Sequence, residues 1–148
     1  MSLPDTVHAS AVRFAGRGIL VRGGSGSGKS ALVLQLLFAD AEARLVADDR
    51  VILSADAGRL VATVPEGLAG LLEVRGQGIV RRPHVSPAPV DLVVDLRPLA
   101  DCPRLPEPDD ERVAILGLDL PRLILPSGAA DGVVRLRVAL ERLSVARS

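Results

Sequence analysis

The sequence has no Trp or Tyr, and its only aromatic side chains are Phe14 and Phe38. Without ring platforms, stacking of exposed nucleobases is a poor basis for binding. Its single cysteine, Cys102, excludes an intrachain disulfide and a cysteine-built zinc site. It reads as a small buried thiol in a reducing, cytoplasmic setting. Charge of one sign is also missing: Lys+Arg and Asp+Glu number 18 each. No net field therefore recruits nucleic acid or an anionic membrane. No apolar run approaches the ~20 residues that span a bilayer, and no signal sequence opens the chain. The expected partners include no nucleic acid and no membrane.

What is present is 148 residues, 48% of them hydrophobic, enough to bury the core of a single domain over 1–148. Its most specific feature is Gly23-Gly24-Ser25-Gly26-Ser27-Gly28-Lys29-Ser30, which fits the phosphate-cradling pattern G-x-x-x-x-G-K-[ST]. Glycines let the loop amides turn inward, and the helix that follows adds unsatisfied N–H groups and a positive dipole end. Lys29 would reach terminal phosphates, and the Ser30 hydroxyl would ligate magnesium. Gly18–Arg22 reads as the strand before the loop. Lys29 to about Ala39 reads as the helix after it, apolar nearly all round as a buried helix is.

The chain from Thr6 to Val21 reads as a hairpin entering this loop. Arg44–Ala47 reads as a strand ending on Asp48-Asp49; Val51–Leu53 continues it or starts a partner, and Gly58–Val64 gives an antiparallel pair, so the sheet is mixed. A short helix is expected at Leu68–Leu72, then a polar loop over Glu73–Gly78. Seven prolines between Pro83 and Pro108 leave one clear strand there, at Val90–Leu96. Val113–Leu116 and Leu123–Leu125 read as strands. Asp131 to Ala146 reads as an amphipathic helix with Val134, Leu136, Val138, Leu140 and Leu143 on its apolar side.

Asp48 and Asp49 lie one helix and one strand beyond the loop. Carboxylates there can position magnesium or accept a proton from an attacking hydroxyl. Neighbours on an extended strand point to opposite faces, so one of the two faces the phosphates. In Glu73-Val74-Arg75-Gly76-Gln77-Gly78, Glu73 could add a hard oxygen ligand and Arg75 could offset charge on a transferred phosphoryl group. A solvated turn explains that stretch equally well. His8, taken by spacing alone, reads as structural or solvated.

Together these stretches resemble the catalytic domain of HPr kinase/phosphorylase. The resemblance runs from about His8 to Leu125. It rests on the Gly23–Ser30 loop, Leu45-Val46-Ala47-Asp48-Asp49-Arg50-Val51 and Leu72-Glu73-Val74-Arg75-Gly76-Gln77-Gly78-Ile79, with the His8 strand, Val90–Val94 and Ile115-Leu116-Gly117 in support. It implies an α/β phosphate-loop domain of the phosphoenolpyruvate carboxykinase-like type, a mixed sheet with flanking helices. It also implies an ATP- and Mg2+-dependent serine kinase acting on an HPr-like phosphocarrier protein, in the regulation of carbon/nitrogen metabolism. Asp48 would be the general base, His8 and Lys29 would lie near the transferred phosphate, and Ser30 and Glu73 would be magnesium ligands. Family members are commonly hexameric, which implies a homo-oligomer. Many carry an additional N-terminal domain for which this chain has no room, as in the short form found in some proteobacteria.

Two departures stand out. The family's Glu after Lys-Ser is Ala31 here, and its later Pro-Gly-Arg-Asn loop is Pro126-Ser127-Gly128-Ala129. The forward kinase reaction follows from the resemblance better than phosphorolysis does, because the reverse reaction lacks a cation unless Arg135 or a neighbouring subunit supplies one. A kinase for another protein or a small metabolite, and a nucleotide-responsive binding module without turnover, stay open as alternatives.

Overall fold

The structure, a computed structural model, describes residues 6–146. Short aliphatic runs separated by Gly and Asp turns form twelve strands among them: β1 (Thr6–Val7), β2 (Ala9–Phe14), β3 (Arg17–Arg22), β4 (Arg44–Ala47), β5 (Val51–Asp56), β6 (Arg59–Thr63), β7 (Leu71–Val74), β8 (Gly78–Arg81), β9 (Ala88–Pro89), β10 (Leu92–Arg97), β11 (Arg112–Ile115) and β12 (Leu118–Pro126). Two α-helices, α1 (Lys29–Ala39) and α2 (Gly132–Ala146), complete the set. Six strands make a mixed sheet in the order β11-β12-β10-β3-β2-β4. Within it, β3, β10 and β12 pair in parallel, while β2 is antiparallel to both β3 and β4.

Strand alternation assigns each face of this sheet a different cover. Val12, Phe14, Ile19 and Val21 join Leu32, Val33 and Leu36 of α1 and Leu136 and Leu140 of α2 in one core. Ala9, Ala11, Leu20 and Val93 point the other way and meet Val51, Leu60, Ala62 and Ala88 of a four-stranded antiparallel sheet, β1-β5-β6-β9. Burial on both faces explains why β3 and β10 are aliphatic without alternation, Asp95 of β10 being the exception.

Register places the functional edge. Ala11 of β2 pairs with Leu20 of β3 and with Ala47 of β4. The ends of β3 and β4 and the start of β2 therefore reach the same side of the sheet. The opposite side is closed by the β2–β3 turn, where Ala15 and Gly16 take φ of +52° and +75°, the left-handed pair a two-residue hairpin requires.

Several expectations are corrected. Leu68–Leu72 is not a helix: Gly67 and Gly70 sit at φ of +83° and +75°, which no α-helix contains, and Leu71 already opens β7. Glu73–Gly78 is the tip of the β7–β8 hairpin rather than a free loop. The hairpin inferred for Thr6–Val21 begins at Ala9, because Thr6 and Val7 pair with β5 in the second sheet. Of the two readings left open for Val51–Leu53, the structure gives the partner strand, β5 pairing with β6. The strand expected at Val90–Leu96 runs from Leu92 to Arg97. On α2, Leu136 and Leu140 are buried, whereas Val134 and Val138 are more than half exposed.

Candidate phosphate site

The loop leaves β3 after Arg22 and enters α1 through Gly28, which takes φ of +93° and caps the helix without a side chain. The first amides of α1 are thus left for an anion rather than for a capping hydroxyl. Lys29 is buried, and its Nζ donates to the carbonyls of Gly23 at 2.9 Å and Gly24 at 3.0 Å. Gly24, Ser25 and Gly26 are exposed. Ser27 Oγ is buried with no hydrogen-bond partner among the described residues. A Cβ on Gly23 would lie 2.4 Å from that oxygen and 3.2 Å from the Leu96 Cβ, so a side chain here would displace the Ser27 hydroxyl.

Asp48, just past β4, takes three hydrogen bonds. Ser30 Oγ donates to its Oδ1 at 2.8 Å, Ser10 Oγ to the same oxygen at 3.0 Å, and the Glu73 amide to Oδ2 at 3.2 Å. Asp49 adopts φ of +67°, which turns its carboxylate to His8, with Nε2 to Oδ1 at 2.5 Å. The two carboxylates part as expected, but through the left-handed turn at Asp49 beyond β4 and not through alternation along an extended strand. Asp48 joins the loop and Asp49 joins His8.

Glu73 stands on β7 opposite the buried Leu72, so its side chain is exposed while its amide is fixed to Asp48. Arg75 is exposed at the hairpin tip and makes no ion pair or hydrogen bond among the described residues. Asp48, Ser30, His8 and Asp49 are thus linked in two contacting pairs. Glu73 adjoins them through its backbone, and Arg75 does not touch them.

The donor set suits a hard divalent cation, because Ser30 and Asp48 offer oxygen only. No group of three or more His, Cys, Asp or Glu side chains gathers to hold a metal among the described residues. An ion here would complete its shell with phosphate and water, as Mg2+ does. The unpartnered Ser27 hydroxyl and the uncapped helix start suit the phosphates.

Two participants were missed in the sequence. Ser10 carries no motif. Asp95 carried a signal: a carboxylate inside the apolar run Leu92–Leu96 demands a buried partner. It is 6% exposed and takes Arg22 at 2.8 and 2.9 Å and Arg122 at 3.3 Å. This ties the root of the loop to β10 and β12. The Pro126–Ala129 turn after β12 comes close to the loop, since a Cβ on Gly28 would be 3.8 Å from the Gly128 nitrogen. Arg135, considered there as a cation, pairs instead with Asp131 at 3.7 Å.

A mixed sheet whose central strand feeds a glycine loop and a buried helix, with a carboxylate on the loop's serine, defines a phosphate-loop α/β domain. The chain belongs to the family described as HPr Serine kinase C-terminal domain, whose model matches residues 1–130. It is 37% identical over 134 residues to the HPr kinase/phosphorylase of Geobacillus thermodenitrificans, covering 81% of this chain and 41% of the relative. The Clostridium acetobutylicum HPr kinase/phosphorylase is likewise 37% identical over 134 residues, with 83% and 43% covered. The chain thus spans about two-fifths of the length of these curated relatives. The structure of the Hpr(Ser) kinase/phosphatase from Coxiella burnetii matches with a TM-score of 0.78 at 26% identity, covering 97% of this chain and 92% of that one. No helix among the described residues is long and apolar enough to cross a membrane.

Proposed function

We propose that the chain is a single catalytic domain that phosphorylates a serine of HPr, or of an HPr-like phosphocarrier, with ATP and Mg2+. The observation that carries this reading is the convergence on Asp48 of the loop's Ser30 and the Glu73 amide, within a family whose members are named for this reaction. Bound Mg-ATP supplies the γ-phosphoryl group and positive charge to neutralise it.

The chain's own groups do the positioning. Loop amides and the α1 start hold the phosphates, and Lys29 exchanges its two loop carbonyls for phosphate oxygens. Ser30 would hold the metal, with Glu73 on β7 and Asp49, paired with His8, as further oxygen ligands available to it. A carboxylate offers about four acceptor positions. Three on Asp48 are taken, two of them on Oδ1, which leaves Oδ2 a place for the substrate hydroxyl. As the serine oxygen bonds to phosphorus and the bond to the ADP oxygen breaks, the serine proton passes to Asp48. His8 and Arg75 would face the transferred group once the carrier docks, Arg75 by movement of the exposed hairpin tip. Reverse phosphorolysis is disfavoured by the Pro126–Ala129 turn, which has no arginine. A homo-oligomer, hexameric by family resemblance, would let a neighbour contribute to carrier docking.

Purified protein with Mg-ATP and HPr should yield phosphoserine on HPr, read by mass spectrometry. Asp48→Ala should lower kcat by at least about 100-fold. Full activity in that variant would overturn the role of Asp48. ATP bound without phosphate transfer to HPr or to any small acceptor would overturn the kinase reading.

A further inference from the structure

Ser10 is fully buried, at 0% exposure, in a strand whose neighbours Ala9, Ala11 and Val12 are apolar. By strand alternation it shares the helix-side face with Val12 and Phe14. A hydroxyl in such surroundings must find partners, and both partners of this one belong to the acidic pair. It donates to Asp48 Oδ1 at 3.0 Å and accepts from the Asp49 amide at 3.0 Å. The direction is fixed by chemistry: the amide can only donate, so the hydroxyl proton must go to the carboxylate.

The second bond matters because Asp49 has a left-handed backbone at φ +67°, a conformation that Asp tolerates better than most residues but that a hydrogen bond to its amide helps to fix. That backbone is what presents the Asp49 carboxylate to His8. We propose that Ser10 is a positioning residue for the site: its single hydroxyl holds Asp48 against Ser30 and holds the turn that aims Asp49 at His8. The inference rests on the reading of Asp48 and His8 as the reactive groups, but the positioning itself can be measured without turnover.

The test compares the full chain with Ser10→Ala and Ser10→Thr. Amide exchange at Asp49 and the ring resonance of His8 are read by NMR; His84, the other histidine, serves as internal control. HPr phosphorylation is followed in parallel. In Ser10→Ala, Asp49 exchange should quicken roughly tenfold or more and the His8 resonance should move while that of His84 stays. kcat should fall roughly tenfold, with KM for ATP within about twofold of the parent. Ser10→Thr, which keeps the hydroxyl, should restore both signatures and bring kcat to within about threefold. Should the added methyl or the deletion prevent folding, Ser10→Cys, close in size to serine, carries the same NMR comparison, and loss of both signatures is expected there too. Wild-type exchange at Asp49 together with an unmoved His8 resonance in a folded variant lacking the hydroxyl would overturn the inference, whatever its turnover. If the parent chain leaves HPr unphosphorylated, the kinase reading falls, and the two NMR signatures still decide on Ser10.

Discussion

His8 and Asp49 lie 41 positions apart in sequence and meet at 2.5 Å because β2 begins where β4 ends. A pair that acts as a unit loses its effect when either member is removed. His8→Ala and Asp49→Ala should therefore reduce HPr phosphorylation by similar factors, and the double variant should be little worse than either. A double-mutant cycle on kcat/KM checks this, and fully multiplicative losses would separate the two roles. The residues legible beforehand were those with fixed spacing. Gly23 to Ser30 declare themselves because glycine is the residue that takes φ of +76° at Gly26 and +93° at Gly28 without steric cost. Ser10 was silent, since a serine in a strand looks alike whether it faces solvent or a carboxylate, and only the pairing of β2 with β4 brings its partner near.

At the scale of elements, the turn end of the β2–β3 hairpin packs directly against the backbone at Pro89. A Cβ on Gly18 would lie 1.7 Å from the Pro89 carbonyl oxygen, and backbone cannot step aside as a side-chain tip can. Gly18→Ala should lower unfolding free energy by at least about 3 kcal/mol, measured by denaturant titration.

At the hairpin turn, Asp40 follows α1 and accepts the amides of Glu42 and Ala15, each at 3.0 Å. These bonds, the Glu42 amide foremost, hold its carboxyl below the usual aspartate range. A depressed carboxyl stabilises the fold above the ordinary aspartate value and loses that contribution as pH falls through its own lower value. Asp40→Asn should flatten the acid limb of the stability profile in that window, checked by thermal midpoints across pH.

Helix α1 was legible end to end, Lys29–Ala39, because a phosphate loop starts it and Asp40 stops it. The Leu68–Leu72 stretch was not: its apolar residues suit either period, and the deciding fact is the left-handed backbone at Gly67 and Gly70.

The whole molecule is a sheet between unlike covers. Phe14, Ile19, Leu36, Leu45 and Leu136 fill the helix side, while Ala9, Ala11, Ala47, Ala62 and Ala88 line much of the other. The two sides should be destabilised by opposite changes of volume. Leu136→Ala, in the part of the chain beyond the family match, should cost about 2–5 kcal/mol by leaving a cavity. Ala62→Leu should cost about 1–3 kcal/mol by overpacking between the sheets. Denaturant midpoints of both variants check the asymmetry.

The layering itself could be read from sequence only as a mixed sheet with helices, because which face each strand offers depends on pairing partners distant in the chain. Charge is balanced at this scale too, 18 against 18, so nothing draws an anion from afar. Lys29 is moreover the chain's one lysine, already occupied by the carbonyls of Gly23 and Gly24. A phosphate entering the loop must therefore compete with these two carbonyls for the amine. Capture of a nucleotide then takes two steps in time, encounter followed by release of the amine, and the observed rate should level off with nucleotide concentration instead of rising without limit.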